Sequence, residues 1–97
     1  MKFDGFDWDR GNIDKCRKHG LSLTEIETAL SGEIFVTPDP AHSAREQRFH
    51  AIGRTATGRA VFVVFTLRER GGEMLLRPIS ARYMHRKEIE AHEKEAP

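Results

Sequence analysis

The longest unbroken apolar run in this 97-residue chain is AVFVVF, residues 60–65. A membrane-spanning helix needs about 20 apolar residues, so this run does not cross a bilayer. Through Leu67 it is apolar on both faces, which marks a strand buried in the middle of a sheet. The rest of the chain must supply that strand with neighbours on either side and a cover for its apolar face. A second core is ruled out by length, so residues 1–97 are expected to form a single domain.

The cover comes first in the sequence. Residues 2–8 carry Phe3, Phe6 and Trp8 among acids and read as a short strand leading into a turn. Asp9 is placed to cap a helix running to about His19, with Gly20 as its left-handed stop. A second helix is signalled by the Ser22/Glu25 capping box and the Leu21/Ile26 staple, and it ends at Gly32. Beyond Gly32 the hydrophobic period changes from helix to strand. Residues 34–36 make a short strand expected to stop at Pro38 and Pro40, and residues 42–46 read as a loop. Residues 47–54 alternate, with Phe49 and Ala51 on one side and Arg48, His50, Ile52 and Arg54 on the other. The turn at 55–58, the central strand, the Gly71-Gly72 hairpin and a strand over 73–82 follow, and residues 85–95 read as a charged helix. The order β-α-α-β-β-β-β-α predicts an α+β domain with an antiparallel meander packed on two helices.

In the last strand, alternation puts Leu75, Ile79 and Ala81 on the helix side and Ser80 and Arg82 on the open side. Arg77 is expected to point to the apolar side near the sheet margin, with its head in water. Arg68 and Arg70 flank the hairpin and are expected to be solvated there. Arg48, His50, Arg54, Ser80 and Arg82 then share the open face, a platform for a polar ligand.

Charge segregates along the chain. Residues 1–41 carry −3, residues 42–87 carry +7 and residues 88–97 carry −3. Nine of the ten cations of the middle block are arginine, whose planar fork suits phosphate and carboxylate. A solvated sheet face and an anion-binding surface are the two readings of such a block. One cysteine, Cys16, excludes an internal disulfide framework and a cysteine zinc cluster. The absence of a basic-then-apolar leader points to the cytoplasm.

Four motifs in order carry a resemblance. Phe6-Asp7-Trp8-Asp9, Lys18-His19-Gly20, Glu46-Gln47-Arg48-Phe49 leading to Ile52-Gly53-Arg54, and Ile79-Ser80-Ala81-Arg82 resemble the BrnT toxins of bacterial type II toxin–antitoxin systems. The resemblance spans residues from about 6 to 88. It implies a RelE-like fold, endoribonuclease activity and neutralisation by a BrnA antitoxin. It also implies a toxin–antitoxin heterotetramer in which the antitoxin alone contacts operator DNA. Two positions depart from the commoner pattern. His85 replaces a Ser or Thr that would cap the last helix with Glu88, and Cys16 replaces an Asn at the end of the first helix.

Metal-free RNA cleavage needs a base for the 2′-hydroxyl, cations for the phosphorane and an acid for the 5′-oxygen. Arg48, Arg54 and Arg82 are the candidate phosphate clamps. His19, His50, His85 and Glu46 are candidate proton carriers, and Lys18 is an electrostatic candidate. Ser80, Tyr83 and Trp8 complete the candidate substrate contacts. Each has an alternative: His19 as a helix-end cation, Trp8 as a core anchor, Glu46 as an ion-pair partner, Ser80 as a strand hydrogen-bonder, Tyr83 as filler beside the last helix. No carboxylate cluster or paired-His motif suggests a metal, and no cofactor is expected. A growth-arresting ribonuclease without a membrane partner is the first reading. A non-catalytic basic module for an acidic protein or nucleic acid is the second.

Overall fold

A computed structural model of the chain describes residues 2–42 and 44–95. Ser43, within the loop expected over 42–46, lies outside the described residues, as do Met1, Ala96 and Pro97. The elements are β1 (Gly5–Phe6), α1 (Arg10–Arg17), α2 (Leu23–Ser31), β2 (Phe35–Asp39), β3 (Arg48–Arg54), β4 (Ala60–Arg70), β5 (Glu73–Tyr83) and α3 (Arg86–Glu95). A short 3-10 turn, Pro40–His42, follows β2. The order matches the sequence reading, and the fold is α+β with a five-stranded sheet and three helices.

The sheet runs β1-β5-β4-β3-β2, so the apolar run does sit at its centre. Strands β2 to β5 form an antiparallel meander, and β1 joins parallel to β5, which makes the sheet mixed. Strand β2 passes through Pro38, which pairs with Phe49, and ends at Asp39. The expected stop at Pro38 is therefore corrected. β2 is the outer strand, and a proline that donates no hydrogen bond is tolerated there.

Both expected helix starts are present. Asp9 accepts from the Asn12 N–H while the Asn12 side chain accepts from the Asp9 N–H, and Ser22 and Glu25 do the same for α2. The first helix stops at Arg17, and Gly20 takes the left-handed conformation, φ +92°, soon after it. Val61, Val63 and Phe65 of β4 point into a core with Ala51, Leu76, Ala81 and Leu21, Ile26, Ala29 and Leu30. Gly53 lets α2 lie directly on β3. A Cβ there would stand 2.6 Å from the Ala29 carbonyl oxygen.

A bulge decides which residues of β5 face the core. Val64 opposes Ser80 but Phe65 opposes Pro78, leaving Ile79 as the extra residue. Leu76, Pro78 and Ala81 therefore point to the helices. Leu75, placed on that side by simple alternation, instead opposes Arg68 on the other face, and Ile79 leaves the core. Arg77 moves with them. It opposes Thr66 on the face away from the core, and its side chain is only 15% exposed, not headed into water.

The face opposite the core is only partly open. Helix α3 lies over one end of it, where His92 meets the Phe35 ring edge-on and Glu88 and Glu93 meet Arg82 and Arg54. No helix among the described residues is long and apolar enough to cross a membrane.

Candidate functional site

Cross-strand pairing sets the geometry of the exposed face. His50 opposes Thr37 and Val64, Arg48 opposes Asp39, and Ser80 opposes Val64 from the other side. Asp39, His50, Arg48 and Ser80 thus share a face across four strands. Helix α1 runs beside β5, its Asn12 amide donating to the Pro78 carbonyl at 2.8 Å. One turn on, Lys15 reaches the same face. Lys15, Asp39, His42, Arg48, His50 and Ser80 line a groove of about 290 Å3.

The Asp39 carboxylate anchors this groove. It is nearly buried, with its side chain 8% exposed. His50 donates through Nε2 to Oδ2 at 2.9 Å, and His42 donates through Nδ1 to the same oxygen at 3.1 Å. An ionised carboxylate only accepts, so each imidazole must present an N–H there. Burial pushes the Asp39 carboxyl up, but the hydrogen bonds and charge of His50 and His42 outweigh it and hold the group below its ordinary value.

A second hollow of about 210 Å3 shares Lys15, Arg48 and Ile79 with the first and adds Glu46, Arg68 and Arg77. Glu46 holds Arg68 in a two-pronged pair, Nε–Oε2 3.0 Å and Nη2–Oε1 3.3 Å. Arg68 is therefore a groove residue and not the solvated hairpin cation expected. Arg70 reaches Asp7 at 3.3 Å. Arg77 binds Asp9 at 3.0 Å and approaches Asp7 at 3.7 Å, while Arg77 Nη1 and Asp7 Oδ2 are buried without a hydrogen-bond partner.

The remaining candidates are dispersed. Arg82 lies on the same face, opposite Phe62 with its guanidinium 4.8 Å from that ring, but it is clamped to Glu88. That clamp, with the His85 N–H, holds the Glu88 carboxyl down at about 2. Arg54 donates to the Gly58 carbonyl and lies 3.7 Å from Glu93. His85 precedes α3, where Glu88 caps its backbone N–H. Lys18 and His19 are exposed in the turn after α1. Trp8 and Tyr83 stand away from the groove. Both pack against the core, with the indole N–H donating to Glu27 and the phenol to Glu25 of α2.

The structure thus unites Arg48, His50, Ser80 and Glu46 and separates them from Arg54, Lys18, His19, His85, Trp8 and Tyr83. Asp39, His42, Lys15 and Arg77 had gone unrecognised. Asp39 sits between two prolines that read as a strand stop, and only the β2–β3 register shows its side chain meeting His50. Cys16 is fully buried, which pushes its thiol up to about 11 and leaves it a packing residue.

Comparison with curated proteins finds no significant match. The family described as ribonuclease toxin, BrnT, of type II toxin-antitoxin system matches residues 8–88. That match covers β2 to β5, both N-terminal helices and the whole lining of the groove, and by it the chain belongs to the BrnT family of ribonuclease toxins.

Proposed function

We propose that the chain is a cytoplasmic endoribonuclease of RelE-like architecture that cleaves RNA without a metal ion, by attack of the 2′-hydroxyl on the adjacent phosphorus. The observation that carries this reading is the groove. It sets Arg48 and Lys15 beside two imidazoles backed by a buried carboxylate. Cations on a concave, partly dehydrated surface favour the dianionic phosphorane over the monoanionic ground state. Imidazoles supply proton transfer near neutral pH.

Arg48 is the phosphate clamp in this reading. Glu46 holds Arg68 at the rim, and Ser80 is a neutral hydrogen-bonding group on the floor. Arg82 and Arg54, held by α3, border the groove as secondary phosphate contacts. Lys18 and His19 lie farther along the path of α1 and serve longer RNA. The cognate partner is a BrnA-like antitoxin whose acidic surface meets the +7 middle block, in a heterotetramer that contacts operator DNA through the antitoxin alone.

Incubation of the purified chain with single-stranded RNA in EDTA tests this. Cleavage with a 2′,3′-cyclic phosphate at the new 3′ end is expected. Cleavage only on addition of magnesium or manganese would refute metal independence. Intact RNA under every condition would favour a binding module.

A further inference from the structure

Neither imidazole of the groove is isolated; both hang on one carboxylate, and that arrangement has chemical content. Asp39 accepts from His50 Nε2 and His42 Nδ1, so the second nitrogen of each ring, Nδ1 of His50 and Nε2 of His42, is left for other work. Both rings border the same groove as Arg48 and Lys15. With one nitrogen of each ring held by the carboxylate, the two remaining nitrogens stand in the same hollow, one for each half of a proton transfer.

Resting on the ribonuclease reading above, we propose that His50 and His42 are the general base and general acid for a phosphodiester seated on Arg48, with Asp39 as the positioning residue for both. The rings differ in exposure. The His50 side chain is 32% exposed and that of His42 69%. His50 is also fenced by the Phe62 ring, 5.0 Å away between centroids. The enclosed base takes the 2′ proton at Nδ1 as the 2′-oxygen bonds to phosphorus. The exposed acid gives its proton from Nε2 to the 5′-oxygen as the P–O5′ bond breaks, where the leaving strand can depart into solvent. The products are a 2′,3′-cyclic phosphate and a 5′-hydroxyl, and solvent exchange resets the two protons.

Charged groups face the pair from three elements. Asp39 approaches from β2, Arg48 from β3 and Lys15 from α1, while β4 and β5 contribute the neutral Val64 and Ser80. On its far side His50 borders the hollow beneath α3, which also holds Glu88, His92 and Glu95. The pH profile of cleavage is therefore bell-shaped, with an ascending limb for the base and a descending limb for the acid.

The experiment is single-turnover cleavage of a short RNA from pH 5 to 9 by the wild-type chain and by His50→Asn, His42→Asn and Asp39→Asn. Arg86→Ala, 92% exposed on α3, is the control. Each histidine variant is expected to lose on the order of 10²–10⁴ in kcat with little change in KM. His50→Asn should lose the ascending limb and His42→Asn the descending one. Asp39→Asn should keep both limbs but move them, which a purely structural role would not do. A substrate with sulfur in place of the 5′-oxygen needs no acid, so it should restore His42→Asn and leave His50→Asn inactive. Thermal melting checks folding, and the thio substrate gives a folded but defective His42→Asn a positive signal of its own. If the wild type cleaves and the variants stay within threefold of it, or if the thio substrate restores His50→Asn instead or neither variant, this assignment is overturned while the ribonuclease reading stands. If the wild type cleaves no RNA, both fall.

Discussion

Arg82 and Glu88 meet as a two-pronged pair across the join between β5 and α3, Nη1–Oε1 at 2.7 Å and Nη2–Oε2 at 2.8 Å. The same carboxylate caps the His85 N–H. One side chain thus ties the last strand to the start of the last helix, and α3 has no buried residue of its own to hold it. Arg82→Ala should fray α3 while leaving the sheet intact. The pair is partly exposed, so the global cost is under about 1 kcal/mol. Hydrogen exchange of residues 86–95 checks this. Unchanged protection there would show that the pair does not anchor the helix.

Acid should release the same helix. The Glu88 carboxyl is held at about 2, below its ordinary 4.5. A lowered folded-state value means that the stabilisation is complete above about 4.5 and is lost as pH falls toward about 2. The amide shifts of α3 should move in that window, and in Glu88→Gln that step should be missing. An identical acid step in the variant would place the titration elsewhere.

Gly53→Ala should be among the more damaging single-methyl additions. The new Cβ would fall 2.6 Å from the Ala29 carbonyl oxygen, so α2 must lift from β3. Overpacking of this kind typically costs about 1–3 kcal/mol. Urea unfolding gives the value, and a midpoint equal to that of the wild type would mean that α2 moves at no cost.

Cys16 should resist alkylation in the native chain. It is fully buried and its thiol is pushed up to about 11, so little thiolate exists at pH 8. Labelling by iodoacetamide should proceed only through unfolding and accelerate sharply in urea. Rapid modification of the folded chain would show an open route to the thiol.

Arg48→Ala and Arg70→Ala should separate a groove cation from a hairpin cation. Loss of a donor to the phosphorane costs on the order of 10²-fold or more in rate. Arg70 is 57% exposed beside Asp7, and its loss should change cleavage less than about threefold, chiefly through weaker salt dependence. Equal rates for the two variants would remove Arg48 from the phosphate.

The elements were legible because their signals are local. Ser22 and Glu25 announce a helix start three residues apart, and the 60–65 run announces a central strand by itself. The errors arose where an answer depends on a neighbour. The bulge at Ile79 comes from the pairing of β5 with β4, and it moved Leu75, Ile79 and Arg77 to the other face. Pro38 reads as a stop until β2 is seen to be the outer strand. The site suffered most for the same reason. His50 and Arg48 show in the alternation of β3, whereas Asp39 joins the groove only through its contacts with the rings at 42 and 50.

The first strand pairs with the last. Gly5 lies beside Leu75, and Asp4 N–H donates to the Met74 carbonyl, 70 residues later in the chain. The floor of the groove closes only with Ser80, also on that last strand. As the chain is made from its amino end, Lys15, Asp39 and both histidines leave the ribosome before the strand that completes their setting. Long-range closure of this kind is slow and is one of the last events of folding. A nascent chain therefore has no complete groove until translation is almost finished. Chains cut short by premature termination ahead of residue 73 carry Lys15, Asp39, Arg48 and the two histidines but no assembled groove.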